Sequence, residues 1–334
     1  MKDFGIVIIV IIAIVLFWFM SGISNSTGSL EGLVVPSLPS LPQIKNATNR
    51  TTDEKIGENT GLAKLETIVV DGKTYYKSRW FGQIKLGRGN AKSAYQPREE
   101  YITLQNSSKR GSEAINITGW LLQNNDANRL FEDSGRLYAG NTNRAYIPSG
   151  VEVLLPENNQ AKHWINLKPG DRAIVVTGNV YSSGKFKIKS SFRVNKCSGY
   201  LENLPNYNFT PTLKSKCPSP KEVEGLKALP ETCYNLVRRL PRCETPDIEP
   251  YRDRDGDLVR RHINGNTEVS RFCQEFVVAN FSYGACVAVH YNDDDFLTSD
   301  WRIFLDKNWE MWKNDRDIIY LFDDRGHLVS YLAY

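Results

Sequence analysis

The sequence predicts a mainly β chain: an antiparallel β-sandwich joined to a disulfide-linked, mostly helical region and preceded by one N-terminal transmembrane helix. Three observations carry this reading. Short strand-like runs separated by turn residues recur from Leu65 to about Val194 and again at the C-terminus, and many brief strands at such spacing indicate a sandwich or barrel. All six cysteines lie between Cys197 and Cys286. An uncharged apolar run opens the chain. With 334 residues, 41% of them apolar, there is material for one large or two ordinary domains with a real core.

The opening run GIVIIVIIAIVLFWFM, Gly5 to Met20, reaches 17 residues when Phe4 is counted. That is about the shortest helix that spans a hydrocarbon core of roughly 30 Å. Residues 1–4 are therefore read as a cytoplasmic end and 5–21 as a signal anchor. A cleaved signal peptide is the alternative, with small residues Ser21, Gly22 and Ser24 near a cut. Lys2 precedes the run and the next basic residue is Lys45, so the amino end is expected inside and the rest of the chain outside the cell membrane. Residues 22–63, rich in Ser, Asn, Thr, Gly and Pro, read as a disordered tether.

Strands are expected across residues 64–195, in ETIVVDGKTYYKSRW with its Asp71-Gly72 turn, then in GQIKLGRGN, YITLQN, INITGWLL, YIPSGVEVLLP, HWINL, RAIVVTG and FKIKSSFRV. Residues 196–316 change character: helical spacing is seen in ETCYNLVRRL and TEVSRFCQEFVVANF. The stretch DWRIFLDKNWEMWK is likewise read as a helix capped by Asp300, because Trp301, Phe304 or Leu305, Trp309 and Trp312 recur at spacings of three and four. Residues 317–334 read as one hairpin turning at Asp323-Asp324-Arg325-Gly326. A lone hairpin is barely stable, so this one must pair with strands elsewhere.

Six cysteines on the outer side imply three disulfides in an oxidising compartment. Zinc is the rival, but no C-x-x-C pair occurs and His163, His262, His290 and His327 are scattered. A helical CYNLVRRLPRC would separate Cys233 from Cys243 by roughly 15 Å, beyond the reach of about 7 Å that a disulfide allows. The same argument separates Cys273 from Cys286. An antiparallel helix pair stapled at both ends then predicts Cys233–Cys286 and Cys243–Cys273, leaving Cys197–Cys217.

The stretch EEYITLQNSSKRGSEAINITGWLLQN, through Glu100, Tyr101, Ile102, Leu104, Asn106, Ile115, Ile117, Thr118, Gly119, Trp120 and Leu122, resembles the opening of a lamin tail domain. That domain is the immunoglobulin-like β-sandwich of nuclear lamins, found also in many bacterial secreted and surface proteins. Ile147-Pro148-Ser149-Gly150, the Leu167, Pro169, Gly170, Val175, Val176 step, and the close through Asp317, Ile319, Leu321, Gly326, Val329 and Tyr331 or Tyr334 are similar to later parts of the family pattern. The resemblance implies that the terminal hairpin returns to the same sandwich and that residues 196–316 are an insertion. The whole layout resembles bacterial membrane-anchored proteins that carry a lamin tail domain with a cysteine-rich insertion. Trp120 is expected in the core of such a sandwich, and Asn106 in a turn.

For function, the charge of +4 from 42 basic and 38 acidic residues is a mixed surface without a run to track phosphates, which argues against nucleic acid. Asp253, Asp255 and Asp257 are the calcium candidates; the glycine at the fourth position and the absence of a glutamate at the twelfth exclude an EF-hand, and the interleaved arginines favour a self-paired, solvated loop. Asn-x-Ser/Thr triplets begin at Asn25, Asn46, Asn49, Asn106, Asn116, Asn208 and Asn280. The expected role is non-enzymatic, with no cofactor: a structural or binding module for a surface protein or glycan, Trp301, Trp309 and Trp312 being candidate contacts. One alternative is an envelope-polymer hydrolase using carboxylates among Glu275, Asp293, Asp294 and Asp295 with His290. A calcium-stabilised adhesion module is the other.

Overall fold

Strand pairing in the computed structural model explains where the C-terminal hairpin goes. The structure describes residues 66–126, 130–133, 136–139, 143–155, 160–182, 188, 190–204, 207–213, 216–252, 258–263 and 267–334. The expected anchor, the tether and the three calcium-candidate acids lie outside the described residues.

The first strands are β1 (Thr67–Val70) and β2 (Lys73–Tyr76), a hairpin whose two turn residues, Asp71 and Gly72, both take positive φ of 49° and 73°. That is the turn an Asp-Gly pair favours, because its twist matches the strands. Next come β3 (Ile84–Gly87), β4 (Tyr101–Asn106), β5 (Ile115–Asn116), β6 (Leu121–Gln123), β7 (Leu130–Asp133), β8 (Arg136–Ala139), β9 (Arg144–Tyr146) and β10 (Gly150–Val151). Then follow β11 (Asn166–Leu167), β12 (Arg172–Val176), β13 (Tyr181–Ser182), β14 (Ser191–Asn195) and β15 (Tyr207–Asn208). A cysteine-rich stretch carries α1 (Gly199–Glu202), α2 (Glu231–Val237), β16 (Ile248–Arg252), β17 (Leu258–Ile263), β18 (Thr267–Glu268), α3 (Arg271–Asn280) and α4 (Tyr283–His290). The chain closes with β19 (Leu297–Phe304), β20 (Ile318–Phe322) and β21 (Leu328–Ala333).

Two sheets matter most. One has six strands in the order β10-β14-β19-β12-β4-β3, the other four in the order β21-β20-β6-β9. The terminal hairpin therefore does rejoin the strands from early in the chain, with Leu321 opposite Leu122. Its turn is built as its sequence requires: Gly326 takes φ 76°, and Asp323 Oδ1 accepts from the amides of Arg325 and His327 at 2.9 Å each.

The two sheets enclose a shared core of Ile102, Leu104, Ala173, Val175, Trp301 and Ile303 on one side and Leu122, Ala145, Ile319, Leu321 and Val329 on the other. Leu104, Ile117 and Trp120 are buried here. Gly119 and Gly170 supply turns at φ 81° and 93°; the latter follows Pro169, and Asp171 N donates to Lys168 O to close the turn. Asn106 is buried; its side chain donates to Leu167 O and accepts from Ser108 N.

Two expectations are corrected. The stretch after Asp300 is not a helix but β19, in the middle of the six-stranded sheet, parallel to β12 and antiparallel to β14. Trp301 and Ile303 face one core while Phe304 faces a second. Because both faces are covered, WRIF reads as a continuous apolar run apart from its arginine, and its period of two is hidden. Residues 196–316 are thus not the mostly helical insertion expected, since they hold strands as well, and the sheet is not purely antiparallel, since β10 also runs parallel to β14. Trp301 and Trp312 are buried and offer no surface for a partner.

The second correction concerns the disulfides: three form, but between Cys197 and Cys286, Cys217 and Cys243, and Cys233 and Cys273. The expected pairs Cys197–Cys217, Cys233–Cys286 and Cys243–Cys273 assumed two long helices. Instead α2 ends at Val237, Cys243 sits beyond it at φ 63°, and Cys286 lies on a separate helix bent 67° from α3. Cys233 therefore meets Cys273 near the beginnings of α2 and α3. The excluded bonds, Cys233–Cys243 and Cys273–Cys286, are indeed not formed.

The outer face of the six-stranded sheet, through Ile174, Val176, Phe192, Val194 and Phe304, is covered by the cysteine-rich layer through Tyr200, Leu201, Tyr207, Phe209, Tyr283 and Phe296. No single helix among the described residues is long and apolar enough to cross a membrane; the bent pair α3 and α4 passes such a test by length and composition only.

Candidate functional site

The outer face of the six-stranded sheet is not sealed everywhere. On β12 the side chains alternate, so that Arg172, Ile174 and Val176 share the outer face while Ala173 and Val175 enter the inner core. Register places Ile174 opposite Thr103 of β4 on one side and Arg302 of β19 on the other, and Arg172 opposite Asp300. These side chains, with Tyr101, floor and wall a cavity of about 320 Å³, which Gly89 borders after β3 and Pro211 and Thr212 cover from the cysteine-rich layer.

The wall beside Tyr101 depends on glycine. Gly89 takes φ 56°, and a Cβ there would come 2.2 Å from Tyr101 O and 2.8 Å from two atoms of its ring. Neighbouring Asn90 holds this strand end in place: its Oδ1 accepts from Tyr101 N at 2.8 Å, and its Nδ2 donates to Glu99 O at 2.6 Å.

Arg172 and Asp300 form a two-point ion pair, Nε to Oδ1 at 3.1 Å and Nη2 to Oδ2 at 3.0 Å. The Arg172 side chain remains 37% exposed at the rim. Arg302 is different, because it is 97% buried, 3% of its surface being exposed. Its Nη2 donates to Thr212 O at 2.8 Å, while Nε and Nη1 have no acceptor. Burial pulls its pKa down to about 10, with Glu202 and Asp300 acting the other way, so it is a cation at neutral pH. Glu202, raised by its own burial, is engaged with Leu213 N at 2.6 Å.

The lining holds two guanidiniums and one carboxylate, and Glu202, outside the lining, acts on Arg302 as a further carboxylate. A buried donor without an acceptor costs about 1–3 kcal/mol, and more when charged. The two unpartnered nitrogens each expose less than 1 Å², so they are enclosed by protein and not open to the cavity. Both Asp300 oxygens accept from Arg172, and a guanidinium of pKa about 10 stays protonated near neutrality.

Of the acids named for a hydrolase, Glu275 stands apart, while Asp293 and Asp295 gather around Lys196. Glu275 is on α3, exposed and paired with Arg271 at 2.9 Å. His290 Nδ1 lies 2.8 Å from Asp293, and Lys196 bridges Asp293 and Asp295. That lysine first, and then His290, holds the Asp293 carboxyl below its ordinary range. Among the described residues no three His, Cys, Asp or Glu side chains gather as a metal site.

Sequence reasoning named Tyr101 as a fold residue and Asp300 as a helix cap, where it is a strand residue, and missed Arg172, Arg302, Thr103 and Gly89. The available signal was an arginine inside each of two otherwise apolar strands, RAIVV and WRIF, which a doubly covered sheet tolerates only for a reason. Comparison with known protein families, with curated proteins and with solved structures finds no match to this chain.

Proposed function

We propose that this chain is a membrane-tethered, extracytoplasmic binding module, lamin-tail-like in its strands, that captures a surface protein or glycan without catalysing its conversion. The reading rests above all on the cavity in the outer face of the six-stranded sheet, bordered by the Arg172–Asp300 ion pair, Arg302, Tyr101 and Thr103. Three disulfides, all with buried cysteines, support an oxidising compartment. The uncharged N-terminal run supports the tether, with the amino end inside. Two sheets around one core, closed by the C-terminal hairpin, are what the lamin-tail resemblance leads one to expect. An immunoglobulin-like sandwich is part of this proposal, with the parallel β12–β19 pair as a departure from its usual pattern.

The test is to express the full chain through a secretory route in a bacterial host, then treat intact cells with protease and with a membrane-impermeant thiol reagent. Digestion of the C-terminal part from outside, with no thiol labelled before reduction, is expected. Protection from protease together with free thiols would overturn the orientation. Binding is tested separately, by screening glycan and peptide surfaces with the full chain and with Arg302→Met; a signal that the variant keeps undiminished would remove the cavity from the function.

A further inference from the structure

Away from the cavity, β5 and β11 bring an Asn-x-Thr triplet beside an exposed tryptophan. We infer that Asn116 is an N-glycosylation site and that the sugar attached there lies over the indole of Trp164; this rests on the extracytoplasmic placement proposed above. Four Asn-x-Ser/Thr triplets fall among the described residues, and three are poorly placed to carry a glycan. Asn106 is fully buried, and its Nδ2 donates to Leu167 O at 2.8 Å. Asn280 ends α3 with its Nδ2 donating to Phe276 O at 2.8 Å. Asn208 is exposed, but its triplet continues into Phe209, buried against Phe192, and then meets Pro211. Asn116 differs. Its Oδ1 accepts from Thr118 N at 3.0 Å, its Nδ2 has no acceptor among the described residues, and Gly119 at φ 81° turns the chain directly after the triplet. Strand register supplies the second observation. Asn116 stands opposite Asn166, and the bond from Ile117 N to Ile165 O carries the pairing on, so that Thr118 comes opposite Trp164. Asn116 and Trp164 are therefore diagonal cross-strand neighbours on the outward face, a separation that an aromatic side chain spans. Beneath them Ile115, Ile117, Ile165 and Leu167 fill the core. Trp164 is 70% exposed, whereas Trp120, Trp301 and Trp312 are buried. On a base this firmly packed the indole is apolar surface without cover, and the C–H face of a sugar ring is the cover that a glycan on Asn116 brings. In the transfer, Nδ2 of Asn116 attacks the anomeric carbon of an oligosaccharide carried on a lipid phosphate. The N–C bond forms as the C–O bond to phosphate breaks, the lipid phosphate leaves with the electron pair, and one amide proton passes to the transferase.

The experiment isolates the full chain from the membranes of the cells that encode it and maps its tryptic peptides by mass spectrometry, beside the same chain made in a bacterial host without N-glycosylation. The peptide from Gly111 to Arg129 holds Asn116 and no other triplet. It is expected to carry sugar on Asn116 in the first preparation and none in the second. Hydroxyl-radical footprinting of the two preparations then reads Trp164 directly: the indole should be protected in the glycosylated chain and lose that protection in the bare one, with no residue altered in either. Variants give a further arm, since Thr118→Ser should keep the glycan and Thr118→Ala should lose it. A bare peptide from the native membranes would overturn the inference. Sugar on Asn25, Asn46 or Asn49 in that same sample would keep the outside placement while removing Asn116 as a site, so the two failures are told apart. With every triplet bare the inference falls, and the placement is decided by the protease digestion above. Equal oxidation of Trp164 in a glycosylated and a bare chain would overturn the cover over the indole.

Discussion

Glu100, immediately before β4, is fully buried, and its two carboxylate oxygens accept from Met311 N at 2.7 Å and Trp312 N at 3.0 Å. It thereby fixes the irregular segment after β19 against the start of β4. Burial, with a smaller push from Glu310, raises its pKa from 4.5 to about 7. Between those values the folded chain holds a proton that the unfolded chain has released, so this group's contribution is fully present below pH 4.5 and is lost as pH rises through 7. In full it is worth about 3 kcal/mol. The melting temperature of the native chain should therefore fall between about pH 5.5 and about pH 8 more steeply than that of Glu100→Gln, which cannot ionise; parallel pH profiles for the two would refute this. Gly199 makes a second claim at this scale. A Cβ there would stand 2.3 Å from Cys243 Sγ and 2.9 Å from Cys217 Sγ, so the chain passes over that disulfide only because the side chain is absent. Overpacking of this kind costs about 1–3 kcal/mol. Gly199→Ala should lower the midpoint of chemical unfolding accordingly, whereas Gly284→Ala, with open space around its position, should not.

Among elements, β19 is the one on which both the sheet and the cavity depend, and it shows why part of the fold was legible and part was not. The β1–β2 and β20–β21 hairpins could be read because their turns are local: Asp71-Gly72 and Gly326 state the required φ within a few residues. The α2 and α3 regions could be read from helical spacing. For β19 the local pattern misleads, since Trp301, Leu305, Trp309 and Trp312 fall at helical intervals while the chain is extended through Phe304 and irregular afterwards. What decides the matter is pairing with β12, 128 positions earlier at Arg172 and Asp300, and no local window contains that information. Arg302 was hidden for the same reason, because its neighbours Ile174 and Phe192 are brought to it only by the sheet. The disulfide partners were hidden too, because they depended on where α2 stops. The structural weight of β19 can be measured. Ile303 is fully buried between the sheets, so Ile303→Ala should cost about 2–5 kcal/mol in denaturant unfolding. Val289, 64% exposed on α4, should cost under about 0.5 kcal/mol when changed to Ala. Equal costs at the two positions would mean that β19 is not the central strand described.

At the scale of the whole molecule, the three disulfides do not serve one core. Cys197–Cys286 and Cys217–Cys243 lie in the cluster that covers the outer face of the six-stranded sheet and roofs the cavity. Cys233–Cys273 belongs to a separate cluster of Leu226, Leu229, Val237, Leu240, Ile263, Val277 and Phe281. Loop entropy hardly distinguishes them: sequence separations of 89 and 40 residues for Cys197–Cys286 and Cys233–Cys273 correspond to about 4.6 and about 3.9 kcal/mol. Position decides instead. A satellite cluster of this size has little apolar surface to offset the ordering of its own chain, so it depends on its cross-link more than the sheets do. Replacing Cys233 and Cys273 together by serine should therefore remove hydrogen-exchange protection from α2 and α3 while β12 and β19 keep theirs. Replacing Cys197 and Cys286 should loosen the layer that carries Thr212, and so expose the amides of that layer even where the inner core still protects Val175 and Ile303. If the first variant exposed the amides of β12 and β19 as readily as those of α2, the molecule would unfold as a single unit and the cysteine-rich layer would be part of the fold's foundation rather than a cover built on the sheets.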